Sequence, residues 1–265
     1  MKSTKSKSTL TFFLLTFFLT LPIDILIVLI GKNIILSPDM MFAIVPLTAL
    51  APIGAALILS FRENGKDGVK KLLARVFDHK RIEKKIWYVP IFFLMPFLYL
   101  LAWGAAVLME QPLIAAPFPI VALPVVFLLF YIMAIGEEIG WMGYAFEPMQ
   151  NQWSTFKAAL LLGLIWVLWH VPFWIFVFDE PIAIVGQALT LVTLRFLMVW
   201  LFNNTGKSVF VAILFHAVYN VTIGMLPVNT MISSLFLLVT VIVVVFLWGP
   251  ETMAQFRRKK AHDLG

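Results

Sequence analysis

Long apolar runs separated by short polar segments dominate the chain. A helix needs about 20 apolar residues to cross a bilayer, and eight runs have that character: 10–30, 40–61, 86–108, 118–146, 157–178, 181–202, 207–226 and 229–249. The pattern predicts an all-α, polytopic integral membrane protein of about eight transmembrane helices, forming a single membrane domain over 1–265. The first run follows Lys2, Lys5 and Lys7 in the manner of a signal peptide. It is too long for a signal-peptide core and no small-residue cleavage site follows, so it is expected to be the first span. Between the second and third runs the pattern changes. In 62–85, Val69, Leu72, Leu73, Val76 and Phe77 recur at helical spacing with lysine and arginine between them. That predicts an amphipathic helix at the membrane interface.

Composition supports the membrane reading. The chain of 265 residues is 62% hydrophobic and 13% charged, against roughly 25% charged for a soluble domain. Charge then orients it. Segment 62–85 holds nine basic residues and the tail RRKK at 257–260 four more, whereas the loops at the other span ends carry only Lys32. The positive-inside rule places the amino terminus, the 62–85 loop and the carboxyl terminus in the cytoplasm of a multi-pass cell-membrane protein. The net charge of +6 lies in these flanks as a topology signal, so a nucleic-acid partner is not expected. The lipid bilayer is the expected environment. Zero cysteines exclude disulfides, thiolate metal sites and a cysteine nucleophile.

Polar residues inside the runs carry the functional information. A charge at the centre of a spanning helix costs roughly 2.5–3.5 kcal/mol on insertion scales, and such residues are functional candidates by default. They are Asp24, Glu137, Glu138, His170, Arg195, His216 and Asn220. Glu137 and Glu138 fall near the predicted cytoplasmic end of the fourth run, and adjacent helical residues point about 100° apart, so the two are expected to serve different neighbours. Gly136 and Gly140 form a small-xxx-small pair that permits close helix approach. In the fifth run His170 precedes Pro172, whose ring removes a hydrogen bond to the Leu168 carbonyl and is expected to kink the helix. His216 and Asn220, four apart in the seventh run, share one face.

A carboxylate, two imidazoles and an amide on three helices suffice for hydrolysis. A carboxylate in an apolar site holds its proton more tightly, which brings it closer to the requirements of a base at working pH. A second imidazole and an amide can donate to the oxyanion of a tetrahedral intermediate. Other intramembrane chemistries leave different marks: there is no HExxH helix, no GxSxG elbow and no pair of aspartates within the runs.

The segments EEIGWMGY (137–144), WVLWH (166–170) and FHAVYN (215–220) resemble the three motifs of the CAAX protease and bacteriocin-processing family, which includes the type II CAAX prenyl endopeptidases. Those motifs are a double glutamate with a downstream arginine, an aromatic-xxx-His and a His-xxx-Asn. The resemblance implies an eight-span intramembrane endopeptidase whose core covers about 118–226. It acts on a membrane-associated peptide or protein at the cytoplasmic side. It further implies Glu137 as catalytic base, His170 as its partner in activating water, and His216 with Asn220 at the oxyanion. Family members have often been labelled metalloproteases; Glu137, His170 and His216 are the set that would hold zinc, and the metal-free mechanism, with no cofactor, is preferred. One position departs from the pattern. Met142 stands where the family has arginine, which leaves Glu138 without its partner four residues on, and Arg195 in the sixth run is the candidate replacement. The competing reading is a degenerate member that has lost catalysis and serves as a bacteriocin-immunity or scaffold protein, or as a proton- or metal-handling transporter.

Overall fold

The computed structural model describes residues 2–31, 44–113, 115–254 and 256. The start of the second predicted run, the rest of the 31–39 loop and the RRKK tail lie outside them. Among the described residues nine α-helices follow in order: α1 (Lys2–Gly31), α2 (Leu50–Leu73), α3 (Tyr88–Leu108), α4 (Leu123–Glu138), the short α5 (Glu147–Gln150), α6 (Thr155–Val177), α7 (Pro181–Asn204), α8 (Val209–Met225) and α9 (Thr230–Trp248). Among the described residues there is no strand. Among the described residues seven helical segments are long and apolar enough to cross a bilayer, and α8 is a shorter apolar helix. The protein is an all-α, multi-pass membrane protein.

α8 has 17 residues, about 25 Å at 1.5 Å per residue, less than the roughly 30 Å of a bilayer core. It is held inside the bundle against α3, α4 and α7, and the stretch Val211–Tyr219 is buried throughout. Because its neighbours surround it, it need not present a full-length apolar surface to lipid.

The 62–85 segment is helical, but continuous with α2. Gly65, at φ 60°, breaks the helical path inside α2, a conformation that side chains with a Cβ avoid. A 3-10 stretch, Ala74–Arg81, continues it. Its apolar residues divide between two directions. Leu72 and Val76 are buried in the protein, whereas Leu73 and Phe77 face outward, Phe77 at 73% exposure. Arg75 fastens the segment to the bundle, donating to the carbonyls of Gly143 and Lys207 at 2.9 Å each and pairing with Glu147 at 2.8 Å. Asp78 accepts from the Ser208 hydroxyl at 2.6 Å and from the Phe210 amide at 3.1 Å. The amphipathic segment thereby caps the first turn of α8, where backbone amides lack helical partners.

α4 gives way at Ile139 to a π-helical stretch that runs to Phe146. A Cβ on Gly136 would sit 2.7 Å from the Ala49 carbonyl oxygen, and one on Gly140 would sit 2.6 Å from that of Pro52. Both glycines therefore exist for the approach of this element to the start of α2. α6 runs helical from Thr155 to Val177 with Pro172 inside it.

Candidate active site

Glu137 and Glu138 are the last residues of α4, 6% and 0% exposed, and they serve different neighbours. Glu137 accepts a hydrogen bond at 2.8 Å from the indole N–H of Trp166 on α6. Glu138 accepts from Arg195 on α7 at 2.6 Å and 3.3 Å, through both of its oxygens. It also meets Nδ1 of His216 on α8 at 3.0 Å. Arg195 is itself fully buried, and its guanidinium carbon lies 4.1 Å from the centre of the Trp166 ring. The burial is tolerated because the two charges neutralise each other with bidentate geometry. Met142, four residues after Glu138, is fully buried in the apolar core, and the cation that holds Glu138 comes from another helix.

The imidazoles are oriented by acceptors. His170 Nδ1 lies 2.8 Å from the Trp166 carbonyl oxygen. A carbonyl can only accept, so Nδ1 carries the proton and a neutral ring leaves Nε2 as an acceptor. The same reasoning applies to His216, whose Nδ1–H donates to the Glu138 carboxylate. Aromatic rings pack around His170: Trp166 and Trp169 edge-on at 5.3 Å and 4.8 Å, and Trp174 stacked at 5.4 Å. Trp169 is in turn held by a 2.7 Å bond to Thr20 on α1.

Glu137, His170, His216 and Asn220 all line one cavity of about 750 Å³. Asp24, the remaining candidate in the runs, lines it too, and among the described residues no lysine or arginine does. Loops after α3 and α8 complete the cavity together with the helices. Its wall is built from Tyr99 late in α3, Phe178 just beyond α6, Gln187 early in α7 and Pro227 after α8. α8 ends early enough for the loop behind it to form part of that wall.

Trp166 contacts the site but carried no role in the sequence reading. It lies within WVLWH, but a tryptophan in an apolar run reads as core packing, and only the structure aims its N–H at Glu137. Asp78 and Arg75 were likewise legible only as members of a charged loop.

The fold and this constellation define a class: multi-pass helical membrane proteins that hold acid, imidazole and amide groups around an interior cavity. Comparison with known proteins narrows it. Residues 119–222 match the family described as type II CAAX prenyl endopeptidase Rce1-like. The CAAX prenyl protease 2 of Methanococcus maripaludis is 31% identical over 195 residues, covering 68% of this chain and 71% of that relative. The chain belongs to the CAAX prenyl endopeptidase family, a family of peptidases.

Proposed function

We propose that the protein is an intramembrane endopeptidase that hydrolyses a peptide bond in a membrane-associated peptide or protein. The observation that carries this reading is the convergence of Glu137, His170, His216 and Asn220 on one cavity inside the bundle, in a chain of a peptidase family. In the proposed reaction a water is held between Glu137 and Nε2 of His170. Glu137 takes its proton as the oxygen adds to the peptide carbonyl carbon, and the carbonyl electrons move onto oxygen. The Asn220 amide donates to that oxyanion. His216, held through Nδ1 by Glu138, lines the oxyanion site beside it. Collapse of the intermediate breaks the C–N bond, and Glu137 returns the proton to the departing amine.

The proposed mechanism uses no metal. Among the described residues, the carboxylate and imidazole atoms gathered within 4.8 Å of one another belong to Glu137, Glu138 and His216, and His170 is not one of them. Both Glu138 oxygens and His216 Nδ1 are already engaged in the ion-pair network. A divalent cation there would also face the Arg195 guanidinium. The donor set therefore fits an ion pair better than a zinc site, and no step is drawn through zinc.

The test is comparative peptidomics of membranes expressing wild-type and Glu137→Gln protein at matched levels. Wild-type membranes should generate cleavage products that vanish in the variant and persist in the presence of a chelator. Unchanged peptidomes would remove the endopeptidase reading.

A further inference from the structure

We propose that the 3-10 stretch Ala74–Arg81 sets the register of the site, with Asp78 and Arg75 as positioning residues that hold α8 against the end of α4. This rests on the endopeptidase reading and adds to it the part that keeps the reacting groups in line.

The four proposed catalytic groups stand on three helices, so the site is only as well defined as the placement of those helices. Glu137 is the second-last residue of α4 and is followed closely by the π-helical stretch Ile139–Phe146. His216 and Asn220 stand on α8, which begins at Val209. α4 and α8 pack against one another, but packed helices slide in small shear motions unless something pins them. A misplacement of about 1 Å at reacting groups can cost roughly a hundredfold in rate.

Both pins come from one short segment. Asp78 receives the Ser208 hydroxyl and the Phe210 amide on one carboxylate oxygen, at 2.6 Å and 3.1 Å, and the Val209 amide on the other at 3.3 Å. Three donors at the start of α8 thus converge on a side chain from a distant part of the sequence. Its negative charge also suits the positive end of the helix. Arg75, three residues earlier, spreads its guanidinium over both catalytic elements. Nη1 donates to the Gly143 carbonyl inside the π-helical stretch and Nη2 to the Lys207 carbonyl just before α8, each at 2.9 Å. Nη1 also meets Glu147, the first residue of α5, at 2.8 Å, and Glu147 pairs with the Lys207 ammonium at 3.5 Å. The end of α4 and the start of α8 are therefore tied to the same segment and, through Arg75, to the same side chain. Neither Asp78 nor Arg75 lines the cavity, so their effect on cleavage is exerted through the helices they hold.

The chain has no cysteine, which lets an introduced pair report the register without reference to catalysis. Spin labels on Ile132→Cys, outward on α4, and Val221→Cys on α8 should give one narrow distance distribution in full-length protein in phosphatidylcholine vesicles. Asp78→Ala and Arg75→Gln should each broaden or shift it. Asp78→Asn keeps an acceptor for Ser208 and Phe210 and should restore the narrow form. Turnover is read on a peptide whose cleavage Glu137→Gln abolishes. Asp78→Ala and Arg75→Gln should lower kcat of the folded fraction at least tenfold at nearly unchanged KM, the pattern of a lost transition-state alignment, and Asp78→Asn should recover most of it. Arg75→Lys keeps the charge but not the fork that spans both carbonyls, and gives the same reading where Asp78→Ala folds poorly. An unchanged distance distribution overturns the proposal whatever the turnover. So does a lowered melting temperature with kcat of the folded fraction as in wild type, which is what a merely structural contact predicts. A broadened distribution in a chain without any Glu137-dependent cleavage would instead remove the endopeptidase reading and leave the clamp between α4 and α8 standing.

Discussion

Trp166 holds two members of the site at once, Glu137 through its indole N–H and His170 through its backbone carbonyl. The second bond survives any side-chain change, so the two functions can be separated. Trp166→Phe keeps an aromatic ring beneath Arg195 and removes only the donor to Glu137. A hydrogen bond to a charged group contributes about 1.5–3 kcal/mol, so cleavage should fall roughly ten- to hundredfold at nearly unchanged thermal stability, read by turnover and melting temperature on the same preparation. Glu138 and Arg195 present the opposite case. Removing one partner strands a buried charge at about 3–5 kcal/mol, so Arg195→Met should lose most of its folded yield in detergent. Adding Met142→Arg to that variant returns a cation four positions after Glu138 on its own element, and should recover part of the yield. Equal yields for the single and double variants would show that position 142 cannot reach Glu138. This pair was legible from sequence because a membrane-buried carboxylate without its motif arginine requires a cation, and Arg195 is the one basic residue well inside a span. The role of Trp166 was not, since nothing in a one-dimensional pattern says where an N–H points.

At the scale of elements, the π-helical stretch Ile139–Phe146 and the two glycines before and within it decide how α4 meets α2. Gly136 and Gly140 read in sequence as a common small-residue pair; the structure gives them particular partners, the carbonyls of Ala49 and Pro52. Gly140→Ala would place a methyl 2.6 Å from backbone, which cannot rotate away. Overpacking of this kind costs about 1–3 kcal/mol. A melting temperature lowered by several degrees is expected, with a larger loss for Gly140→Val; an unchanged temperature for both would show that α2 yields freely. The π register itself was invisible in sequence, because an apolar run such as IGWMGYAF satisfies α and π windings equally. The same limit applies to the amphipathic segment. Its periodicity revealed a helix, yet could not assign Leu72 and Val76 to protein and Phe77 to the outside.

For the whole molecule, hydropathy was sufficient for the spans because each run must satisfy its own backbone in lipid, and only helices do so one at a time. The shortness of α8 followed from its enclosure, a property of its neighbours rather than of its own residues. The walls of the cavity were likewise not legible. Glu137 is 14 residues into α4, roughly 21 Å from its start, close to the middle of the run that continues to Gln150. Depth in sequence therefore does not say which helices wall the cavity, and only the packing of six others decides that.

The Glu138–Arg195 pair also bears on how the chain enters the membrane. Its partners are 57 residues apart, with α6 between them, so α4 emerges from the ribosome well before the cation that neutralises it. On its own, α4 carries two carboxylates and α7 one guanidinium, each opposing release into lipid by roughly 2.5–3.5 kcal/mol when centrally placed. Held together before release, they would enter as a neutral pair. Pairing before release would let α4 and α7 partition together, so the ion pair that orients His216 in the finished protein would also ease the entry of both helices into lipid.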